Sequence, residues 1–247
     1  MAMQQDQDQA QILPLAGFPI RSMSASALSN LLQERLGSPR QTALLIANTN
    51  LILQCQPLRE WICSDNVVLV NDGIGLDIAA LLMHQQRYQV NLNGTDFLPY
   101  FLTGLRSPRK IFLYGGKPGV ADKAAGVIKQ KFSQEVVGHM NGYTAIAPAA
   151  LCEAINRSGA EIILVAMGNP LQEEWIRKHM GLLDAKLFVG VGALFDFLSG
   201  GVKRAPLWVQ KIRFEWLYRL LQEPKRLAKR YTLDIVKFLY VCFRYKK

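Results

Sequence analysis

The chain has 247 residues, half of them hydrophobic and 19% charged, enough for one large domain or two small ones with a real core. That composition excludes extensive disorder, collagen, a coiled coil and a disulfide miniprotein. The net charge of +10 is confined to one end: residues 203–247 hold 13 Lys/Arg against 3 Asp/Glu, and residues 1–202 hold 16 of each.

Residues 1–20 read as a polar, Gln-rich N-terminal tail. Met1–Gln11 has neither a basic n-region nor an apolar h-region, so no secretory signal is expected. Asp6-Gln7-Asp8 has the form of the Asp-x-Asp pair with which many nucleotide-sugar enzymes hold a divalent ion. In a polar tail it lacks the fixed geometry that a metal needs, and no metal site or cofactor is expected. Short apolar runs then predict strands over Thr42–Ala47, Val67–Val70, Lys110–Tyr114, Glu161–Met167 and Lys186–Val191. Each closes on Gly, Asn or Asp. Helical periodicity fills the gaps, as in Val120–Phe132 and Pro148–Arg157.

Runs that are apolar throughout indicate strands buried on both faces, hence a parallel sheet between helices. The predicted fold is α/β: a Rossmann-like, doubly wound, mainly parallel sheet over residues 21–202. Ligands of such sheets bind outside the carboxyl ends of the strands, where this sequence places its glycines and polar residues. No run of 18 apolar residues occurs, so no conventional spanning helix is expected. Cys55, Cys63, Cys152 and Cys242 lie in apolar stretches without a CxxC pair and read as reduced, buried thiols. Three histidines without ligand spacing do not suggest zinc.

Residues 203–247 form a basic, amphipathic helical segment. A helix is predicted over Pro206–Gln222, with Trp208, Ile212, Trp216 and Leu220 at four-residue spacing, and Pro224 suits the start of another. Beyond it Leu227, Ile235, Val236, Leu239 and Phe243 alternate with basic residues, the composition of an interfacial membrane helix. A terminal helix packed on the core with a solvated basic face explains the same pattern. A basic segment seeks phosphate, on a nucleic acid, an anionic bilayer or a substrate.

Three stretches approach the dinucleotide fingerprint: Gly73-Ile74-Gly75, Gly115-Gly116 with Gly119, and Gly190-Val191-Gly192. None has the full GxGxxG set, although Asp96 stands at roughly the spacing of a ribose-binding acid. Asp72 directly follows a buried-type strand and precedes a glycine. It reads as a helix cap or as a carboxylate aimed into the strand-end cleft, and spacing alone favours the cap. Gly168-Asn169-Pro170-Leu171-Gln172-Glu173 leads from a strand into a helix whose N-terminus would face an anion. A capping turn accounts for the Asn and Pro there, but not for Gln172.

The order of these motifs resembles the WecG/TagA/CpsF family, glycosyltransferase family 26. The matching stretches run from Val70-Asn71-Asp72-Gly73-Ile74-Gly75 through Asn93-Gly94-Thr95-Asp96, Phe112–Gly116 and Gly142-Tyr143 to Gly168–Trp175. Gly190–Asp196, Lys203–Pro206 and Glu215–Tyr231 follow. Together they span about residues 40–231, and Asn93-Gly94-Thr95-Asp96-Phe97 is similar to members that build xanthan-type exopolysaccharide.

The resemblance implies an inverting, metal-independent enzyme that moves a sugar, with glucose the best guess, from a UDP-sugar to a polyprenyl-diphosphate-linked saccharide. It places the chain as a peripheral protein on the cytoplasmic face of the bacterial inner membrane. Asp72 matches the family's proposed base. Asn48, Asn50, Gly73, Gly115, Gly116, Asn169 and Gln172 would bind the UDP-sugar, and Asn93, Thr95 and Asp96 the acceptor. Arg204, Arg213, Arg219, Arg226 and Lys229 would stabilise the departing diphosphate. Residues 203–247 would both associate with an anionic membrane and complete the active site. The family's usual Thr-x-Asn is here Asn48-Thr49-Asn50. A nicotinamide-dependent oxidoreductase and a nucleic-acid-binding protein remain the alternatives. The Trp and Tyr among the basic residues suit a membrane interface better than nucleic acid.

Overall fold

The structure is a computed structural model and describes residues 10–202, 205–206, 215–222 and 232–245. At its centre lies an eight-stranded sheet. Five strands carry the core: β3 (Thr42–Ala47), β4 (Val67–Asn71), β5 (Lys110–Gly115), β7 (Ile162–Ala166) and β8 (Leu187–Gly190). β3 shows why they were legible. All six residues are buried, and successive side chains enter opposite layers. Ala43, Leu45 and Ala47 pack into one hydrophobic cluster, Leu44 and Ile46 into the other.

Three strands were not foreseen. β1 (Gln11–Ile12) and β2 (Arg21–Ser22) form an antiparallel ladder at one edge. β6 (Glu135–Met140) pairs with β5 at the other. The full order is β1-β2-β4-β3-β8-β7-β5-β6, parallel everywhere except β1 with β2. From β3 the chain steps to β4 on one side, and its last strand, β8, returns to the other side of β3. The order of strands therefore reverses between β3 and β8, and a crevice opens there at their carboxyl ends.

Helices cover both faces. α1 (Ala25–Leu36), α5 (Gly94–Thr103), α6 (Val120–Phe132) and α9 (Leu194–Leu198) enclose one cluster. On the opposite face lie α2 (Thr49–Gln54), α3 (Arg59–Ile62), α4 (Ile74–His84), α7 (Pro148–Arg157) and α8 (Leu171–His179). The helices expected over Val120–Phe132 and Pro148–Arg157 form over those residues.

Several expectations need correction. The N-terminal tail does not extend to residue 20: Leu13, Leu15, Ala16, Phe18 and Ile20 are buried. A tight turn, with Leu15 and Phe18 exchanging backbone bonds at 3.1 and 2.9 Å, folds this stretch onto the core. Cys63 is exposed, unlike Cys55, Cys152 and Cys242. It ends a single helical turn, and its thiol faces the Gly17 carbonyl at 3.4 Å. The helix expected over Pro206–Gln222 is seen as α10 (Glu215–Gln222). Residues 205–206 are not helical, and 207–214 lie outside the described residues.

The C-terminal helix α11 (Leu233–Arg244) uses two apolar faces. Phe238 and Cys242 are fully buried in the cluster that also holds Leu51, Ile52, Leu76 and Ala80, so the helix packs on α2 and α4. Leu233, Val236, Tyr240 and Phe243 point away from the body, Val236 and Tyr240 being 68% and 67% exposed. Tyr245, just beyond the helix, lies under Arg59 with the guanidinium 4.7 Å from the ring centre. At least this part of residues 203–247 belongs to the folded body, so cutting the chain at 202 would uncover core.

Candidate active site

Asp72 is the first residue beyond β4, half-buried at the end of the strand. Its backbone N–H donates to the Ala47 carbonyl at 2.6 Å, which ties it to the end of β3. The turn is stitched from the other side. Asn71 Nδ2 donates to the Val90 carbonyl at 2.9 Å, and the Gly73 N–H donates to Asn91 Oδ1 at 2.8 Å. The Leu92 N–H closes the set on the Asn71 carbonyl at 3.1 Å.

The N-cap of α4 is Gly73, at φ 91° and ψ 155°, and no side chain caps that helix. This backbone conformation is open in practice only to glycine. The N-cap position that spacing favoured for Asp72 is held by Gly73. A Cβ on Gly75 would stand 2.7 Å from Thr49 Cγ2. That close approach lays the start of α4 against the start of α2, and so brings Asp72 beside Asn48-Thr49-Asn50.

Asn48 is the N-cap of α2, its Oδ1 accepting from the Leu51 N–H at 3.0 Å. Asn performs the capping that Thr would supply at this position, which gives the exchange a structural reason. Asn50 turns toward the β7 end, where its Nδ2 donates to Asn169 Oδ1 at 3.4 Å. Asn169 Nδ2 donates to Glu173 Oε1 at 2.8 Å, and Gln172 Nε2 donates to the same oxygen at 2.8 Å. Gln172 Oε1 accepts from the Gly192 N–H at 3.0 Å. One chain of side-chain amides thus joins the ends of β3, β7 and β8 across the switch point. Gly190 makes room for it: a Cβ there would come within 2.9 Å of Gln172 Nε2.

Glu173 is the member of this network that the sequence reading passed over. It is wholly buried. Burial raises its carboxyl above the ordinary range, and the bonds from Gln172, Asn169, its own N–H and the Cys55 thiol hold that rise back. The Cys55 thiol lies 3.8 Å from Glu173 Oε2. Burial first, then the negative charge of Glu173, pushes that thiol far up. Pro170 is the N-cap of α8, following a cis peptide, rather than its first helical residue. Glu173 and Glu174 occupy the first turn, so carboxylates already meet the positive end of this helix, against the anion site expected there. α8 is anchored behind the site by Trp175, whose ring centre lies 4.8 Å from that of Tyr114 on β5.

Gly115 and Gly116 end β5 at φ 117° and 70°. A Cβ on Gly115 would lie 2.3 Å from the Ala166 carbonyl oxygen. The Gly116 N–H donates to that oxygen at 2.7 Å, and the Gly142 N–H donates to the Gly116 carbonyl at 3.0 Å. Asn93, Thr95 and Asp96 form a reciprocal cap on α5. Asn93 Oδ1 accepts from the Asp96 N–H at 2.9 Å and from the Thr95 hydroxyl at 2.7 Å, while Asn93 Nδ2 donates to Asp96 Oδ2 at 2.8 Å. Gly94 lets this cap sit at the strand ends: a Cβ on it would touch Ile46 Cδ1 at 3.0 Å and approach the Val191 carbonyl at 3.9 Å.

Arg204, Arg213, Arg226 and Lys229, and the side chain of Arg219, lie outside the described residues, as does the Asp6-Gln7-Asp8 pair. No helix among the described residues is long and apolar enough to cross a membrane. α4, which begins beside Asp72, exposes Ile74, Ile78, Leu81 and Leu82. Ile74, Ile78 and Leu81 recur at helical spacing on one side and border a small cavity that Asp77 and Arg87 also line. The sequence model of the WecG/TagA/CpsF glycosyl transferase family matches residues 13–247. That match takes in both the strand-end crevice and the helix packed behind it, and the chain belongs to this family of glycosyltransferases.

Proposed function

We propose that this chain is an inverting, metal-independent transferase that moves a sugar from a UDP-sugar to a polyprenyl-diphosphate-linked saccharide, in exopolysaccharide or other cell-surface polysaccharide assembly. UDP-glucose is the preferred donor candidate. The observation that carries the reading is the placing of Asp72. Asp72 directly follows β4, half-buried, with its backbone tied to the end of β3, on the same strand-end side as the amide chain that spans β3, β7 and β8.

Inversion is one in-line displacement at the anomeric carbon. Asp72 takes the proton of the acceptor hydroxyl as the new C–O bond forms and the bond to the UDP oxygen breaks. Asn50, Asn169, Gln172, Gly73, Gly115 and Gly116 bind the donor, and the α5 cap of Asn93, Thr95 and Asp96 faces the acceptor. The departing diphosphate is stabilised by cations of residues 203–247, with Arg204, Arg213, Arg219, Arg226 and Lys229 as the candidates. The exposed apolar residues of α4 and α11, with the basic charge of the same segment, support docking on an anionic membrane at the cytoplasmic face of the inner membrane.

The test is UDP release from a panel of UDP-sugars, with membranes containing polyprenyl-diphosphate sugars and EDTA. Release that needs the acceptor and occurs with one donor is expected, and Asp72→Asn should abolish it while UDP still binds. Full turnover by Asp72→Asn removes Asp72 from the mechanism. Loss of turnover in EDTA that a divalent ion restores removes metal independence.

A further inference from the structure

The amide network at the ends of β3, β7 and β8 has a direction, and Glu173 sets it. Glu173 Oε1 accepts from both Asn169 Nδ2 and Gln172 Nε2, so each amide must turn its NH2 toward Glu173 and its carbonyl away. Gln172 is fixed from its far end as well, because the backbone N–H of Gly192 can only donate. Asn169, with its NH2 engaged, shows Asn50 an acceptor, and Asn50 answers with Nδ2 at 3.4 Å. What remains of Asn50 for the crevice is its carbonyl oxygen, to which no described residue donates.

Resting on the transferase reading, we propose that Glu173 is a positioning residue. It fixes the direction of this amide chain so that Asn50 offers an acceptor oxygen to a hydrogen-bond donor on the nucleotide-sugar. The donor is a sugar hydroxyl or the uracil N–H.

Among the described residues, the groups acting on Glu173 are Gln172, Asn169, its own N–H and the Cys55 thiol. Glu174 is the other charge acting on that thiol. The direction does not require Glu173 to be ionised. A proton on Oε2, which faces Cys55 Sγ at 3.8 Å, leaves Oε1 an acceptor.

This separates two substitutions. Glu173→Gln keeps a carbonyl oxygen able to take the place of Oε1, its NH2 facing the Cys55 sulfur. Glu173→Met has similar length but no acceptor, and frees both amides to turn. Binding of UDP and of UDP-glucose is measured by calorimetry on the full chain. Glu173→Gln should bind UDP-glucose within about threefold of the wild type, and Glu173→Met about tenfold or more weakly. In turnover the loss falls on KM for the donor with kcat little changed, a split that general loosening of the fold would not produce. Loss for UDP-glucose alone assigns the contact to a sugar hydroxyl, and equal loss for UDP assigns it to the uracil. Wild-type affinity of Glu173→Met for both overturns the proposal.

A wild-type protein that binds neither ligand overturns the transferase reading instead, and a ligand-free measurement then decides. The side-chain amide resonances of Asn169 and Gln172 should be dispersed and slow to exchange in the wild type. Amides there that exchange like free ones overturn the direction itself, and this holds even where Glu173→Met fails to fold.

Discussion

Phe238→Ala probes whether the C-terminal helix is part of the body that holds the site. Phe238 is fully buried in the cluster shared with α2 and α4. Truncating a buried Phe costs about 3–5 kcal/mol, through lost transfer energy and the cavity left behind. Set against a typical stability of roughly 5–15 kcal/mol, that is a large share. With a urea m-value near 3 kcal/mol/M, the midpoint should fall by about 1 M or more. Far-UV circular dichroism in urea, with tryptophan fluorescence followed in parallel, reads it. Should α11 alone undock, an early step of small m will precede the main transition. Both outcomes should lower turnover, because α2 starts from its cap Asn48, α4 starts at the Gly73 turn next to Asp72, and α11 braces both. A midpoint shifted by less than about 0.3 M with a single unchanged transition would refute the docking of α11.

The other predictions test local geometry. Gly115→Ala places a Cβ 2.3 Å from the Ala166 carbonyl oxygen at φ 117°, and should cost about 3 kcal/mol or more. Gly73→Ala meets no atom within 4 Å and should cost only the conformational strain, about 1–3 kcal/mol; comparable midpoint shifts in the two would contradict the difference in packing. Gly190→Ala should displace Gln172 and weaken donor binding, with UDP-glucose affinity as the readout; unchanged affinity would argue against the role of Gln172. In the native protein at pH 8 an aromatic disulfide reagent should modify Cys63 rapidly and the other three cysteines slowly. Cys242 is buried with its thiol pushed up to about 12, and burial pushes the Cys55 thiol far up as well, so both lack thiolate at that pH; rapid reaction of a second thiol would contradict it. Glu173 titrates above its ordinary range when folded, so the native state binds that proton more tightly than the unfolded chain. The stability it contributes is present below its ordinary value and falls as pH rises through the raised one. Glu173→Gln should flatten that slope in urea titrations across this window, and an unchanged slope would exclude Glu173 as its source.

The strands that could be read from the sequence are those with one unambiguous cause. β3, β4, β5, β7 and β8 are apolar because both faces are covered. β6 escaped because it is an edge strand, with Glu135, Gly138 and His139 breaking its apolar run and Val136 alone of its six residues buried. The stretch from Leu13 to Ile20 escaped because it adjoins the polar, Gln-rich start and its Pro and Gly interrupt its apolar residues. They fold a turn whose apolar side chains enter the core. At the site, Asp72 could be found from its place after a buried strand, but the N-cap of the helix that follows could not. That depends on Gly73 taking a backbone conformation that spacing does not reveal. Nothing in the sequence directly separates Glu173 from an ordinary solvated acid in a helical first turn. The available signal was indirect: Asn169 and Glu173 are four residues apart, and Gln172 had no structural explanation until Gly190 opened space for it.

The two sides of the crevice are built on different physics, which bears on how a transferase divides its tasks. On the β7 and β8 side the polar groups satisfy one another and root in a buried carboxylate. Buried networks of this kind hold one arrangement rigidly, because any member that turns leaves another unpaired. Rigid acceptors and donors suit recognition of a donor sugar, whose alternatives differ by the orientation of single hydroxyls. On the β4 side Asp72 stands on a glycine turn, next to a helix that exposes Ile74, Ile78, Leu81 and Leu82. An acceptor carried on a lipid must arrive and leave from a surface, and in the proposed reaction Asp72 would meet its hydroxyl from the β4 side without the donor side rearranging. Substitutions in the amide network should therefore act on donor affinity and choice, and substitutions along α4 on the acceptor. Ile78→Ser, on the exposed side of α4, should raise KM for a lipid-linked acceptor and leave UDP-glucose affinity unchanged. An equal loss in both would mean that the crevice is one cooperative unit rather than two.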